Sequence, residues 1–361
     1  MDEKNYQDYD ALDQMAWGLP QGRERTLLRE KAVTVADMSN DEAQQYEARI
    51  NYINDLCEDG SFPEKYLTVF PWLMAYVEKR KDPQDLQTVL WYYKWVVMIM
   101  YEYPVLSRVQ IENALLDLKK KYNQYGSTDK VYHDYARETY LYLGDYEKSR
   151  YHHHLHSGFK KRDKLDDCAA CVLNRVTFFH MVAGDMDDAI KQAAPIFTGK
   201  KACTHVPKDT YTNFLIYSLL RNRTELANGY AEKLVKELSR SKFGGNFKNI
   251  YPLLVYYARL GEITKALRFF EKYFFNAFDT RGLDGKFHFY LGALYLLGKI
   301  VKPTVRLKIA QKIPFYNSTS IYDVAMLIKW FDAETDRLAA LFNTRNGNTK
   351  YSDVKIAILG M

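Results

Sequence analysis

A small residue that closes a helix, followed five positions later by a second small residue, recurs along this chain at near-even intervals. The instances are Gly144 with Ser149, Gly184 with Ala189, Asn222 with Ala227 and Gly261 with Ala266. The steps between the turn residues are 40, 38 and 39 residues. Glycine, and to a lesser degree asparagine, ends a helix because it enters the left-handed backbone region cheaply. A fixed period of this size marks stacked helical hairpins. Each hairpin packs only on its neighbours, so 361 residues need not divide into separate globular domains.

Composition supports a long continuous core. Apolar residues make up 47% of the chain, and thirty tyrosines supply large apolar bodies with polar tips for half-wet helix surfaces. The net charge of +6 comes from 51 basic and 45 acidic residues. Acids flank most of the basic runs at Lys119–Lys121, Lys160–Arg162 and Lys200–Lys201. Solvated helix ends account for those runs better than a nucleic-acid surface, so no nucleic-acid partner is expected. The apolar stretch Val96–Tyr101 is too short to span a bilayer, and the opening MDEKNYQDYDALDQ is acidic without an apolar run. No membrane partner and a cytoplasmic location are the expectations. Four cysteines in a chain of this length are not a disulfide framework.

Apolar periodicity and cap residues predict helices in series. After a lead-in over residues 1–20, helices are expected at Arg23–Ala36, from Asp41 onward with Tyr46, Ile50 and Ile53 inward, and at Glu64–Glu78. Gly60-Ser61-Phe62-Pro63 is the turn before that third helix. Asp82-Pro83 opens the next helix, since proline is tolerated in a first turn, and Arg108–Asn123 pairs with it. The further pairs are Lys130–Leu143 with Tyr146–Ser157, Asp167–Val182 with Asp187–Phe197, and Lys208–Leu220 with Glu225–Leu238. Ile250–Leu260 pairs with Ile263–Phe275, and Lys286–Leu297 with Val305–Lys312. A last helix is expected at Ile321–Phe342, and the tail 343–361 receives no assignment. Strand signals are nearly absent. The class is all-α, organised as a lead-in and capping helix (1–40), helical repeats (41–315), a C-terminal capping helix (316–342) and the tail.

The repeats resemble the tetratricopeptide type. Tyr140 and Tyr257 stand where that family carries an aromatic four residues before the turn glycine, and Ser149, Ala189, Ala227 and Ala266 fill its small position five after the turn. Phe270 matches the bulky position four later, whereas His153, Ala193 and Ala231 do not. Arg137, Thr177 and Leu254 stand where a small residue is usual, and the period exceeds the usual 34 or so. More narrowly, the chain is similar to a group of bacterial proteins of this type. The segments Leu90–Val97, Arg162-Asp163 leading into Asp167–Cys171, and Ala202-Cys203 leading to Val206-Pro207 carry that likeness. The resemblance implies a right-handed α-solenoid of antiparallel hairpins, about 38–42 residues each, whose first helices line a concave face. It implies no activity.

The strongest local constellation is Cys168-Ala-Ala-Cys171. Two thiols three apart at a helix start share one face, and the helix N-terminus favours the thiolate. The second helix of the hairpin returns the chain to that end, bringing Cys203 and His205. Three readings stand: close-packing cysteines, a Cys3His zinc site, and a redox dithiol. In His152-His153-His154-Leu155-His156, His153 and His156 share a face, either as exposed or satisfied histidines or as contacts to a metal or an acidic ligand. In the run Trp91–Trp95 the stripe of residues 91, 95 and 98 reads as core, which turns Tyr92 and Lys94 toward solvent or the groove. Asp166-Asp167 and Asp187-Asp188 read as helix-start caps. Motifs for nucleophilic, phosphate-binding or metalloprotease chemistry are missing.

A non-enzymatic scaffold or receptor for a protein or peptide partner is therefore expected. Its concave-face candidates are Tyr92, Lys94, Tyr140, Asn174, Asn213, Tyr217 and Tyr257. The alternative is a metal- or redox-responsive regulator built on Cys168, Cys171 and Cys203. By similarity to helical-repeat regulators, a receptor for small signalling peptides is a related expectation.

Overall fold

The computed structural model describes residues 8–59, 62–240 and 244–361. The expected turn residues Gly60 and Ser61, and the first seven residues of the lead-in, lie outside the described residues. Among the described residues the chain is all-α apart from one short strand pair. The first four helices are α1 (Tyr9–Gly18), α2 (Arg23–Ala36), α3 (Glu42–Asp59) and α4 (Glu64–Arg80). They are followed by α5 (Pro83–Met100), α6 (Arg108–Gln124), α7 (Lys130–Leu143) and α8 (Tyr146–Gly158). Then come α9 (Ala169–Ala183), α10 (Met186–Phe197), α11 (Lys208–Leu220) and α12 (Thr224–Arg240). A 3-10 turn, Gly244–Asn249, leads into α13 (Tyr251–Arg259), α14 (Ile263–Asp279) and α15 (Leu283–Gly298). The chain ends with β1 (Thr304–Arg306), β2 (Ile321–Asp323), α16 (Val324–Asn346) and α17 (Lys350–Leu359).

The recurring turns are built alike. Gly144, Gly184, Asn222 and Gly261 have φ of +73°, +99°, +54° and +75°. In each, the turn residue's N–H bonds back three residues, and the next N–H reaches the carbonyl five back. These longer bonds run from Asp145, Asp185, Arg223 and Glu262 to Tyr140, His180, Ser218 and Tyr257, each at 2.9 Å. This is the Schellman closure, which satisfies carbonyls the helix end would otherwise leave orphaned. The small residues five after each turn, Ser149, Ala189, Ala227 and Ala266, are all 0% exposed. A larger side chain there would hold the two helices of the hairpin apart.

Within the hairpins α7 packs on α8, α9 on α10, α11 on α12 and α13 on α14, while α5, α7, α9, α11, α13 and α15 touch one after another. The first helices thus form an inner row. The row closes on itself. Leu283 N–H donates to the Glu102 carbonyl at 2.9 Å, joining the start of α15 to the end of α5. The α16–α17 link seals the same end. Arg345 donates to the Tyr101 carbonyl (3.0 Å), Asn348 to that of Leu143 (2.8 Å), and Lys350 to those of Leu141 (2.7 Å) and Tyr142 (3.1 Å). Donors at the C-terminal ends of α5 and α7 thus meet the last carbonyls of those helices and the negative end of the helix dipole.

Two large apolar cores result, one from Tyr52 to Leu165 and one from Met181 to Ile358. They are separated along α7 and α9 by a buried ionic network. Arg175 pairs with Asp134 and, at 2.8 Å, with Asp167; Lys94 reaches Asp167 at 2.8 Å, and Arg137 pairs with Asp134. Charges this deep persist only when fully paired, and removing one partner typically costs about 3–5 kcal/mol.

Two expectations fail at the C-terminal end. Residues 305–312 form no helix, and α15 packs against α16 instead. Val305 and Tyr322 are buried while Thr304, Arg306, Ile321 and Asp323 are exposed, so the period there is two and β1 pairs antiparallel with β2. The tail is ordered as α17, anchored by Tyr351, whose hydroxyl donates to Asp284 at 2.6 Å.

Candidate ligand cavity and thiol cluster

The inner row borders a partly open cavity of about 480 Å³. Its wall is repetitive. Helix α7 presents Glu138 and Tyr142, α9 presents Asn174 and Phe178, and α11 presents Asn213 and Tyr217. Each pair is four residues apart, so both members lie on one helix face. Side by side, the helices form a polar tier (Glu138, Asn174, Asn213) and, one turn on, an aromatic tier. The aromatic tier extends to Tyr101. Ring centroids step from Tyr101 to Tyr142 at 3.7 Å, to Phe178 at 5.9 Å and to Tyr217 at 6.3 Å. Trp95 of α5, His288 of α15 and Lys350 of α17 complete the enclosure.

Glu138 is the unusual member. Arg175 Nε stands 3.5 Å from Glu138 Oε2, yet that oxygen is buried and accepts no hydrogen bond among the described residues. Burial pushes the carboxyl up to about 7, with Arg175 pulling it back. Asp284 also lines the cavity; burial opposes its ionisation, but His288 and Tyr351 hold its carboxyl well below the usual range. Burial brings the Lys350 ammonium down to about 8, against the pull of Asp284. The cavity therefore combines a buried carboxyl with an unbonded oxygen, a lysine ammonium of weakened basicity, side-chain amides and aromatic faces.

Of the expected concave-face residues, Asn174, Asn213 and Tyr217 line the cavity. The other four do not. Lys94 is 0% exposed and bonded into the ionic network, with its ammonium 3.2 Å from the Trp91 ring centroid. Tyr92 is buried. Tyr140 stacks on His152 within its own hairpin, and Tyr257 stacks on Phe269 in the same way. The reading of α5 is thus corrected in part. Trp91, Trp95 and Met98 do pack against the core, with Trp95 and Met98 also lining the cavity, whereas Tyr92 and Lys94 are buried rather than turned outward. The ammonium explains why, since only an interior acid, Asp167, could draw it in. Asp167 is correspondingly no cap. Against burial, Arg175 and Lys94 hold its carboxyl well below the usual range, and Cys168 is the cap of α9. Asp166 is likewise buried and paired with Lys130 at 2.6 Å. Asp187 and Asp188 do occupy a first turn.

Missed by sequence reasoning were Glu138, Tyr142, Phe178 and Tyr101. A signal was present. The polar–aromatic pairs recur at i and i+4 in three successive first helices, although their offset from the turn residue drifts from helix to helix.

Cys168, Cys171 and Cys203 come together as expected, with sulfurs all within 4.8 Å of one another and Cys171 Sγ 3.4 Å from Cys203 Sγ. The Cys171 thiol donates to its neighbours, which lowers Cys168 to about 5 and lowers Cys203, while Cys171 itself is pushed up. His205 does not join them and lines the cavity instead. The histidine run divides. His152 Nδ1 faces His133 Nδ1 at 2.9 Å, His153 stacks on Phe179 at 4.0 Å, and His156 is buried beside Arg137 and Asp134. His152 and His156 are buried and His153 is half-buried, so all three are packed rather than free.

Searches of family models, of curated proteins and of solved structures find no match to this chain. Among the described residues no helix is long and apolar enough to cross a membrane.

Proposed function

We propose that this protein is a non-enzymatic receptor that takes a short peptide segment into the cavity of a right-handed, tetratricopeptide-like solenoid. The observation that carries the reading is the two-tier wall. Side-chain amides such as Asn174 and Asn213 offer a donor and an acceptor together, matching a peptide group. The aromatic tier offers apolar faces for side chains one helical turn away. Glu138, with an oxygen lacking a hydrogen bond, suits an amine or another strong donor. A volume of about 480 Å³ falls in the range of small-ligand sites, roughly 300–1,000 Å³, and favours a few residues over a long groove-bound helix.

The test is purification of the tagged protein from its own host, with denaturation and mass spectrometry of whatever is released. A peptide recovered with wild type and lost with Asn213→Ala and with Phe178→Ala, both still folded, supports the reading. Recovery of the same partner by variants and wild type alike would place binding on another surface and overturn it.

A further inference from the structure

We propose that Cys168, Cys171 and Cys203 form a three-thiolate site for a thiophilic d10 cation, zinc above all, whose fourth position is open to water or an outside donor. The spacing suits such an ion. Tetrahedral zinc with Zn–S near 2.3 Å sets its sulfurs about 3.8 Å apart. The three sulfurs here lie within 4.8 Å, the nearest recorded pair at 3.4 Å. Small side-chain rotations inside a rigid frame bring them to one centre.

The backbone around the sulfurs is prepared for anionic ligands. At the start of α9 the N–H groups of Ala170 and Cys171 point at Cys168 Sγ. In the loop, Cys203 N–H donates to the Val206 carbonyl at 2.9 Å, closing a tight turn, and the N–H groups of His205 and Val206 point back at Cys203 Sγ. Two peptide turns thus each wrap a sulfur with paired donors, which supports thiolate rather than thiol. The surroundings are dry on one side, with Ala170, Ile196 and Val206 buried against the cluster.

The site has a structural consequence. The Cys203–Val206 turn carries His205 to the cavity wall. An ion joining Cys203 to α9 would pin that turn, and with it one edge of the cavity. The ion's role would be positional.

The experiment uses the full-length reduced protein, stripped of metal and titrated with Zn²⁺ and, for its spectrum, Co²⁺. Expected are one bound equivalent, an intense thiolate-to-cobalt charge-transfer band, a rise in Tm with zinc, and zinc protection of these three cysteines from alkylation. Cys168→Ser and Cys203→Ser should each lose the band, whereas His154→Ala should keep it. The alkylation readout needs no variant, so it decides the matter even if a serine variant fails to fold. No uptake by the folded reduced protein overturns the proposal. So does cobalt uptake without the thiolate band, or a reversible Cys171–Cys203 disulfide in place of metal binding. Loss of the ion in His205→Ala would overturn the open fourth position.

Discussion

At the scale of single residues, the chain stores titratable groups where water cannot reach them easily. Burial brings His152, His153 and His156 each down to about 4. In the unfolded chain they titrate near 6.5. The stability tied to keeping them neutral is therefore present in full above about pH 6.5 and is lost as pH falls toward about 4. Glu138 works in the opposite sense. Its carboxyl, raised to about 7, binds a proton more tightly in the folded protein, so acidification through that window favours folding. Three histidines outweigh one glutamate. The urea midpoint should fall between about pH 7.5 and about pH 5. The change should be smaller in His153→Phe, which keeps the stacking on Phe179 and removes one titrating ring. A flat or rising midpoint would contradict this account. These histidines were visible in the sequence as a run, but a run does not say which ring is buried. That depended on His133, Phe179 and Asp134, which come from other helices.

At the scale of elements, the turn residues allow a clean comparison. Gly184 has open space where a Cβ would sit, so Gly184→Ala pays only for left-handed backbone, about 1–2 kcal/mol. A Cβ on Gly144 would come 2.7 Å from Asn348 Nδ2, the group that caps α7. Gly144→Ala should therefore cost more than Gly184→Ala by about the value of that bond, roughly 1 kcal/mol, and urea unfolding of the two variants checks it. Equal losses would mean that Asn348 is not seated on α7 in solution. Hairpin boundaries were readable because caps, turns and small residues act within a few positions of one another. The failure at 305–312 has the same root. An isolated Thr-Val-Arg follows neither helical nor strand period strongly, and its partner Ile321–Asp323 is too far along the chain for local pattern to reveal the pairing.

At the scale of the whole molecule, the inner row is closed by the C-terminal segment. Lys350 and Asn348 bind the last carbonyls of α7, and Tyr351 binds Asp284 beside the cavity. Replacing Lys350 by Met and Asn348 by Ala together removes bonds worth about 1 kcal/mol each. Amides of α17 should then exchange roughly tenfold faster or more, with α11–α12 unaffected, as read by hydrogen-exchange mass spectrometry. Unchanged exchange in α17 would show that apolar packing alone holds the closure.

The sequence by itself determined the all-α class, the hairpin period, most helix limits and the meeting of three cysteines. All of these rest on interactions within one hairpin, where chain spacing and spatial spacing are tied. The tertiary structure alone decided which side of α5 faces the cavity, that Lys94 and Asp167 form an interior ion pair, and that His205 stands apart from the thiols. It alone decided that α17 seals the row. The face of α5, its ion pair and the seal by α17 depend on groups some 70 to more than 200 positions apart. Over such separations the energy of burying charge and of satisfying helix ends chooses partners that no local pattern can mark.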